Sequence, residues 1–142
     1  MIKLLLLLLL FSSCDIQNLQ EFSIPHEFET LDQAWMWVAD NIEYDLSAHP
    51  TSYPHPLRVY QERKADCKGY ALLLAYFLVD LGYDIRLLEY DPTWSDTGHV
   101  IIYVVDYKLY IEPQIFGFYE PIEWIHRPRY REYHDILRGS RF

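Results

Sequence analysis

Cysteine is scarce in this chain: there are two in 142 residues, Cys14 and Cys67. A domain of that length buries roughly two-thirds of its unfolded surface and needs no disulfide staple, which excludes a disulfide scaffold. Positive charge is also short. Twelve lysines and arginines stand against 21 aspartates and glutamates, a net −9, and that balance argues against a nucleic-acid partner. The sign is uneven: Arg127, Arg129, Arg131, Arg138 and Arg141 all fall in the last sixteen positions. Tyr130 and Tyr133 interleave with them, and residues 126–142 read first as a solvated basic tail, with a helix as the alternative. Long apolar runs are missing too. The longest, leucines 4–10 with Phe11, falls far below the ~20 residues that span a bilayer. No internal repeat and no second domain is visible.

The short run has another use. Met1-Ile2-Lys3 supplies one positive charge, the leucines an apolar stretch, and Phe11-Ser12-Ser13-Cys14 small residues before a cut point. The ending resembles a bacterial lipobox, with Phe11 where Leu is usual. The expectation is a signal peptide over 1–13, a lipidated Cys14, and a polar tether over 14–28. That arrangement places the domain outside the cytoplasm, in a bacterial cell envelope, held to the membrane by its lipid anchor. Cys67 is then the one thiol left, in a compartment where thiols tend to be oxidised. It is either buried and inert or kept for its reactivity.

Half of the chain is apolar and 17% is aromatic, enough for a packed core, expected over 29–125. Thr30 and Gln33 form a capping box for a helix to about residue 42, with Leu31, Ala34, Trp35 and Val38 on one stripe. Three prolines and two histidines over 47–56 predict an extended loop. Asp66 is a good N-cap and Gly82 a good stop, so a helix is predicted over 67–81. It is apolar nearly all round, hence central. Cys67, Ala71, Leu74, Ala75 and Leu78 share a face whose alanines admit a close-packed sheet. Strands are predicted over 85–90, 99–105 and 109–112, with an edge strand within 116–124. Trp94, in the loop between the first two, is read first as a packing residue, with walling a cleft or donating its N–H as the alternative.

The chemistry follows from the order Cys67, His99, Glu112. A free thiol, with a pKa of roughly 8.5, is mostly protonated at neutral pH, and the thiolate is the form that attacks carbonyls. A helix first turn and an adjacent imidazolium both favour the anion; Asp66 opposes them and Lys68 offsets it. Strand parity tests the partnership. With Asp106-Tyr107 as a two-residue loop, Ile101 faces Glu112, so Glu112 lies on the face of His99, one diagonal step away. Such pairs are about 7–8 Å apart at Cα, within reach of a long side chain. Asp96 is the fallback carboxylate.

The segments Asp66-Cys67-x-x-Tyr70-Ala71-x-Leu73-Leu74, Gly98-His99 and Tyr110-x-Glu112-Pro113 resemble the transglutaminase-like core of the papain-like superfamily, over about residues 31–114. The resemblance implies an α+β fold whose cysteine helix packs on an antiparallel sheet. It also implies acyl transfer through a thioester, as hydrolysis, deamidation or transamidation of a protein or peptide amide; with the envelope address expected above, an envelope component is a candidate substrate. Two departures stand out: Glu112 replaces the family's Asp, and Ala65 stands where Gly is common. No calcium-loop signature is present, and no cofactor is implied. For the oxyanion the backbone N–H of Cys67 is a natural donor, with Gln61, six residues earlier, a side-chain candidate. Two other readings differ in class. A fold of this kind can serve as a non-catalytic scaffold or binding module in the envelope. His49 and His55, with His26 or His99, could gather a zinc ion, but their spacing matches no common pattern.

Overall fold

The computed structural model describes residues 22–48, 52–95 and 97–140. Cys14, the 1–13 leader, Asp96 and His49 lie outside the described residues. The elements in chain order are α1 (Leu31–Asn41), β1 (Glu43–Tyr44), α2 (Pro56–Glu62), β2 (Lys64–Ala65), α3 (Cys67–Asp80), β3 (Ile85–Pro92), β4 (His99–Val104), β5 (Leu109–Ile111), a 3-10 turn (Ile122–Trp124), β6 (Ile125–Arg131) and α4 (Tyr133–Gly139). The architecture is α+β.

Helix α3 is the axis of the fold. The Asp66 carboxylate accepts the backbone N–H groups of Lys68 and Gly69 at 3.1 and 3.3 Å, and so caps two of the orphan donors of the first turn. Gly82, at φ +90, ends the helix in the left-handed conformation that glycine adopts without strain. Between these signals Ala71, Leu72, Leu73, Leu74, Ala75, Phe77 and Leu78 are fully buried.

Four antiparallel strands lie in the order β5-β4-β3-β6. Strands β3 and β4 pair from Ile85↔Val104 to Tyr90↔His99, and β4 with β5 through Ile102↔Ile111 and Val104↔Leu109. Alternation then sorts the side chains. Ile85, Leu87, Val100, Ile102, Val104 and Ile111 join the core that holds α3. Leu88, Tyr90 and Ile101 form a second cluster with Tyr110 and Ile125 on the other face.

Several local features are unexpected or differ from expectation. Residues 56–62 are helical: Pro56 takes the first position, where its missing N–H costs nothing, and His55 Nδ1 accepts the Leu57 N–H at 3.2 Å. Residues 43–44 and 64–65 form a short parallel pair. Within 116–124 there is an isolated bridge, Ile111↔Tyr119, and a 3-10 turn instead of a regular edge strand. The proposed tether is docked over its second half, where Ile24 is buried and its N–H donates to the Tyr76 hydroxyl at 2.9 Å.

The basic segment is the largest correction. Residues 125–131 are the β6 edge strand, and Tyr133 and Ile136 of α4 are buried in the core. Arg129 and Arg131 stand 3.7 and 3.1 Å from the Glu89 carboxylate of β3. The register shifts between Glu89 and Asp91 where Arg127 and Pro128 intervene. Arginines, a proline and a bulge are the devices that protect a sheet edge from further pairing.

Candidate active site

Cys67 is the first residue of α3 and its thiol is free and partly exposed. His99 is the first residue of β4, at the rim of the sheet, and Glu112 directly follows β5. The His99 ring shares the cleft with Cys67 and interacts with it, and its Nε2 lies 2.5 Å from Glu112 Oε2. Nε2 being occupied by the carboxylate, Nδ1 is the ring nitrogen left for the sulfur. Both side chains are about nine-tenths buried, at 10% and 7% exposure.

Burial by itself would push the His99 imidazole down. The interactions with Cys67 and Glu112 outweigh it and hold the group up at about 10. The ring is flanked edge-on by Tyr90 and Trp94, each with its centroid at 5.7 Å.

Glu112 is fixed at several points. Its Oε1 accepts the Gln114 N–H at 3.1 Å, its carbonyl accepts the buried Trp35 indole N–H at 2.7 Å, and its own N–H donates to the Phe118 carbonyl at 3.1 Å. The extra methylene relative to aspartate is absorbed by the turn after β5 rather than left loose. Asp66 is engaged by its cap and by the Lys68 ammonium.

Ala65 is fully buried and its methyl faces Gly69, where an added Cβ would come within 2.5 Å of it. It does not line the cleft, so the thiol approach is not narrowed there.

The thiol opens on a cleft of about 390 Å³ lined by Cys67, His99, Glu112, Tyr44, Trp94 and Glu120, among others. Trp94 is 58% exposed and walls this cleft instead of packing in the core. Gln61 is exposed on α2 and is not among the lining residues. The helical turn and the left-handed Arg63 that follows, at φ 59, separate it from the thiol despite its short sequence distance.

Sequence reasoning missed Tyr44. Strand β1 has two residues and no usable periodicity, yet Tyr44 pairs with Ala65 and so stands beside the start of α3. The Tyr70 hydroxyl, donated to the Ile42 carbonyl, holds the chain that leads into this strand. Burial, then the charges of Cys67, Asp66 and Glu112, raise the Tyr44 phenol.

Of the histidines considered for zinc, those described are engaged elsewhere. His26 pairs with Asp80 at 2.7 Å, and His55 caps α2. Among the described residues no group of three metal-type side chains is assembled.

A family model for the transglutaminase-like superfamily matches residues 19–126. The chain belongs to the transglutaminase-like superfamily. No curated protein matches it. The superfamily match begins before the docked segment around Ile24 and ends at the second residue of β6. The fold of this transglutaminase-like chain therefore continues past the match, through β6 and α4.

Proposed function

We propose that the protein catalyses thiol-dependent acyl transfer on amide bonds, with Cys67, His99 and Glu112 as a triad. The observation that carries this reading is the His99–Glu112 pair, 2.5 Å apart, in one open cleft with the Cys67 thiol at a helix tip. Superfamily membership supports the class of chemistry.

In the proposed reaction the Cys67 sulfur bonds to the amide carbonyl carbon. The His99 imidazolium gives its proton to the departing nitrogen as the C–N bond breaks, leaving a thioester. Water or an amine then attacks that thioester, His99 takes the proton released, and the sulfur departs as thiolate. Glu112 holds the ring oriented and stabilises its charge throughout, the part a carboxylate plays behind a catalytic imidazole. The oxyanion is met by the backbone N–H of Cys67, which the Asp66 cap leaves free of its carboxylate, and by the Tyr44 hydroxyl.

Labelling with a thiol-directed amide mimic, followed by peptide mapping, tests this. The adduct is expected on Cys67, with labelling abolished in Cys67→Ala and strongly slowed in His99→Ala. Sluggish labelling that ignores His99 would leave a non-catalytic scaffold. The address is part of the proposal: an extracytoplasmic domain anchored through a lipidated Cys14. Cys14→Ser is expected to move the protein from the membrane fraction to the soluble one.

A further inference from the structure

Three carboxylates line the cleft, and two are accounted for: Glu112 by His99, Asp66 by the α3 cap and Lys68. The third, Glu120, is only 6% exposed. One of its oxygens accepts the Tyr90 hydroxyl at 2.5 Å. Among the described residues no lysine, arginine or histidine pairs with it, and no donor reaches its second oxygen.

A buried carboxylate without a counter-charge is costly unless something supplies one. The two cationic side chains of the cleft are already committed, Lys68 to Asp66 and His99 to Glu112. Three aromatic residues, Trp94, Phe118 and Trp124, line the same cleft as Glu120, along with Gln114 and Ile115. Phe118 and Trp124 lie 6.3 Å apart at an interplanar angle of 32°. Aromatic walls around a desolvated carboxylate are the surroundings that favour an organic cation over a neutral or anionic group.

We propose that Glu120 determines specificity by receiving a cationic side chain of the amide substrate, carried next to the bond that Cys67 attacks. The inference rests on the acyl-transfer reading above. Tyr90 holds one oxygen in place and the substrate cation pairs with the other. The substrates are then basic peptides or amides with a nearby alkylammonium.

The test uses two haloacetamides of matched size, one with a short ammonium arm and one with a propyl arm, and measures Cys67 labelling by each. A charge-assisted contact of this kind predicts about a tenfold preference for the cationic probe. In Glu120→Gln the ratio is expected to fall to about one, whatever happens to the neutral rate. General attraction to an acidic chain would survive that substitution, so an unchanged ratio overturns the proposal, as does equal labelling by both probes in the native protein. Should Glu120→Gln not fold, the native protein still decides: n-propylammonium should slow labelling by the neutral probe, and propanol or propionate should not. Protection by all three, or by none, overturns the proposal. Failure of the underlying acyl-transfer reading looks different, because the neutral probe would then label Cys67 no faster than a simple thiol, with no dependence on His99.

Discussion

Glu112 reaches His99 diagonally across the β4–β5 hairpin, its Oε2 2.5 Å from the ring Nε2, while its backbone is tied to Trp35 and Phe118. The carboxylate is thus held by α1, the hairpin and the following turn together. Replacing it with an isosteric amide keeps the packing but removes the charge and can present an N–H where an acceptor is needed. Glu112→Gln is expected to lower acylation by about 10²–10⁴-fold with the fold intact, by analogy with triad carboxylate-to-amide changes. Steady-state rates alongside circular dichroism check this. Glu112→Asp should recover only part of the loss, since the shorter side chain no longer spans the same gap.

The protonation of His99 sets the pH dependence. Held up at about 10 by Cys67 and Glu112 against its burial, the imidazole is a cation across the neutral range. Alkylation of Cys67 by iodoacetamide should therefore already be fast near pH 6, and His99→Ala should suppress it there. Amide turnover, which needs the imidazolium as acid, should decline as pH passes about 10. The stability linkage has the same sign. A group raised above its unfolded value near 6.5 contributes fully below that pH, and the contribution fades as pH climbs to about 10. Thermal melts should show that decline in the native protein and lose this component of it in His99→Ala.

Gly69 is required by a close approach. An added Cβ there would stand 2.5 Å from Ala65 Cβ and 3.0 Å from Pro54 Cγ, both on short, inflexible groups. Gly69→Ala must push α3 away from β2, two residues from the nucleophile. A loss of about 1–3 kcal/mol is expected, the usual cost of overpacking. Urea unfolding would measure it, and slower Cys67 labelling should accompany it.

Much of this site was legible because strong local signals agreed with one another. Asp66 and Gly82 bracket α3 within a residue of its observed ends, and the apolar surface between them announces a central helix. Hairpin parity placed Glu112 on the face of His99, and the observed register, Ile102↔Ile111, puts Ile101 opposite Glu112 as that counting requires. What escaped was set by tertiary context. Two-residue strands such as β1 carry no period, so Tyr44 had no signature. The run from His126 to Arg131 looks like a solvated tail because its side chains are polar and exposed. Only pairing with β3 and the charges of Glu89 and Asp91 make it a strand. Gln61 is close to Cys67 in sequence, but a helical turn and the left-handed Arg63 carry it away from the cleft.

The docking of the C-terminus as β6 and α4 gives a sharp prediction. Removing residues 126–142 would strip β6 from β3, expose the Leu88, Tyr90 and Ile125 cluster, and delete the buried Tyr133 and Ile136. The truncated chain is expected to aggregate or fail to fold, since an uncovered hydrophobic edge invites further pairing. A soluble, cooperatively melting truncation would show that the segment is dispensable. Ile136→Ala, a milder probe of the same docking, should cost about 2–4 kcal/mol as a buried large-to-small change.

The oxyanion assignment separates two residues that sequence distance alone would rank the wrong way. Gln61, six positions before the nucleophile, is exposed on α2 outside the cleft, whereas Tyr44, further away in sequence, lines it. Gln61→Ala should leave turnover and stability within experimental scatter. Tyr44→Phe keeps the ring that packs beside Tyr70 at 6.3 Å and removes only the hydroxyl. If that hydroxyl meets charge developing on the carbonyl oxygen, kcat should fall by about 10–10³-fold with KM little changed, because the contact strengthens only in the transition state. Labelling by an alkyl halide, which forms no oxyanion, should stay at the native rate in Tyr44→Phe. A loss common to both reactions would instead mean that the phenol positions Cys67, and equal turnover in both proteins would remove Tyr44 from the mechanism.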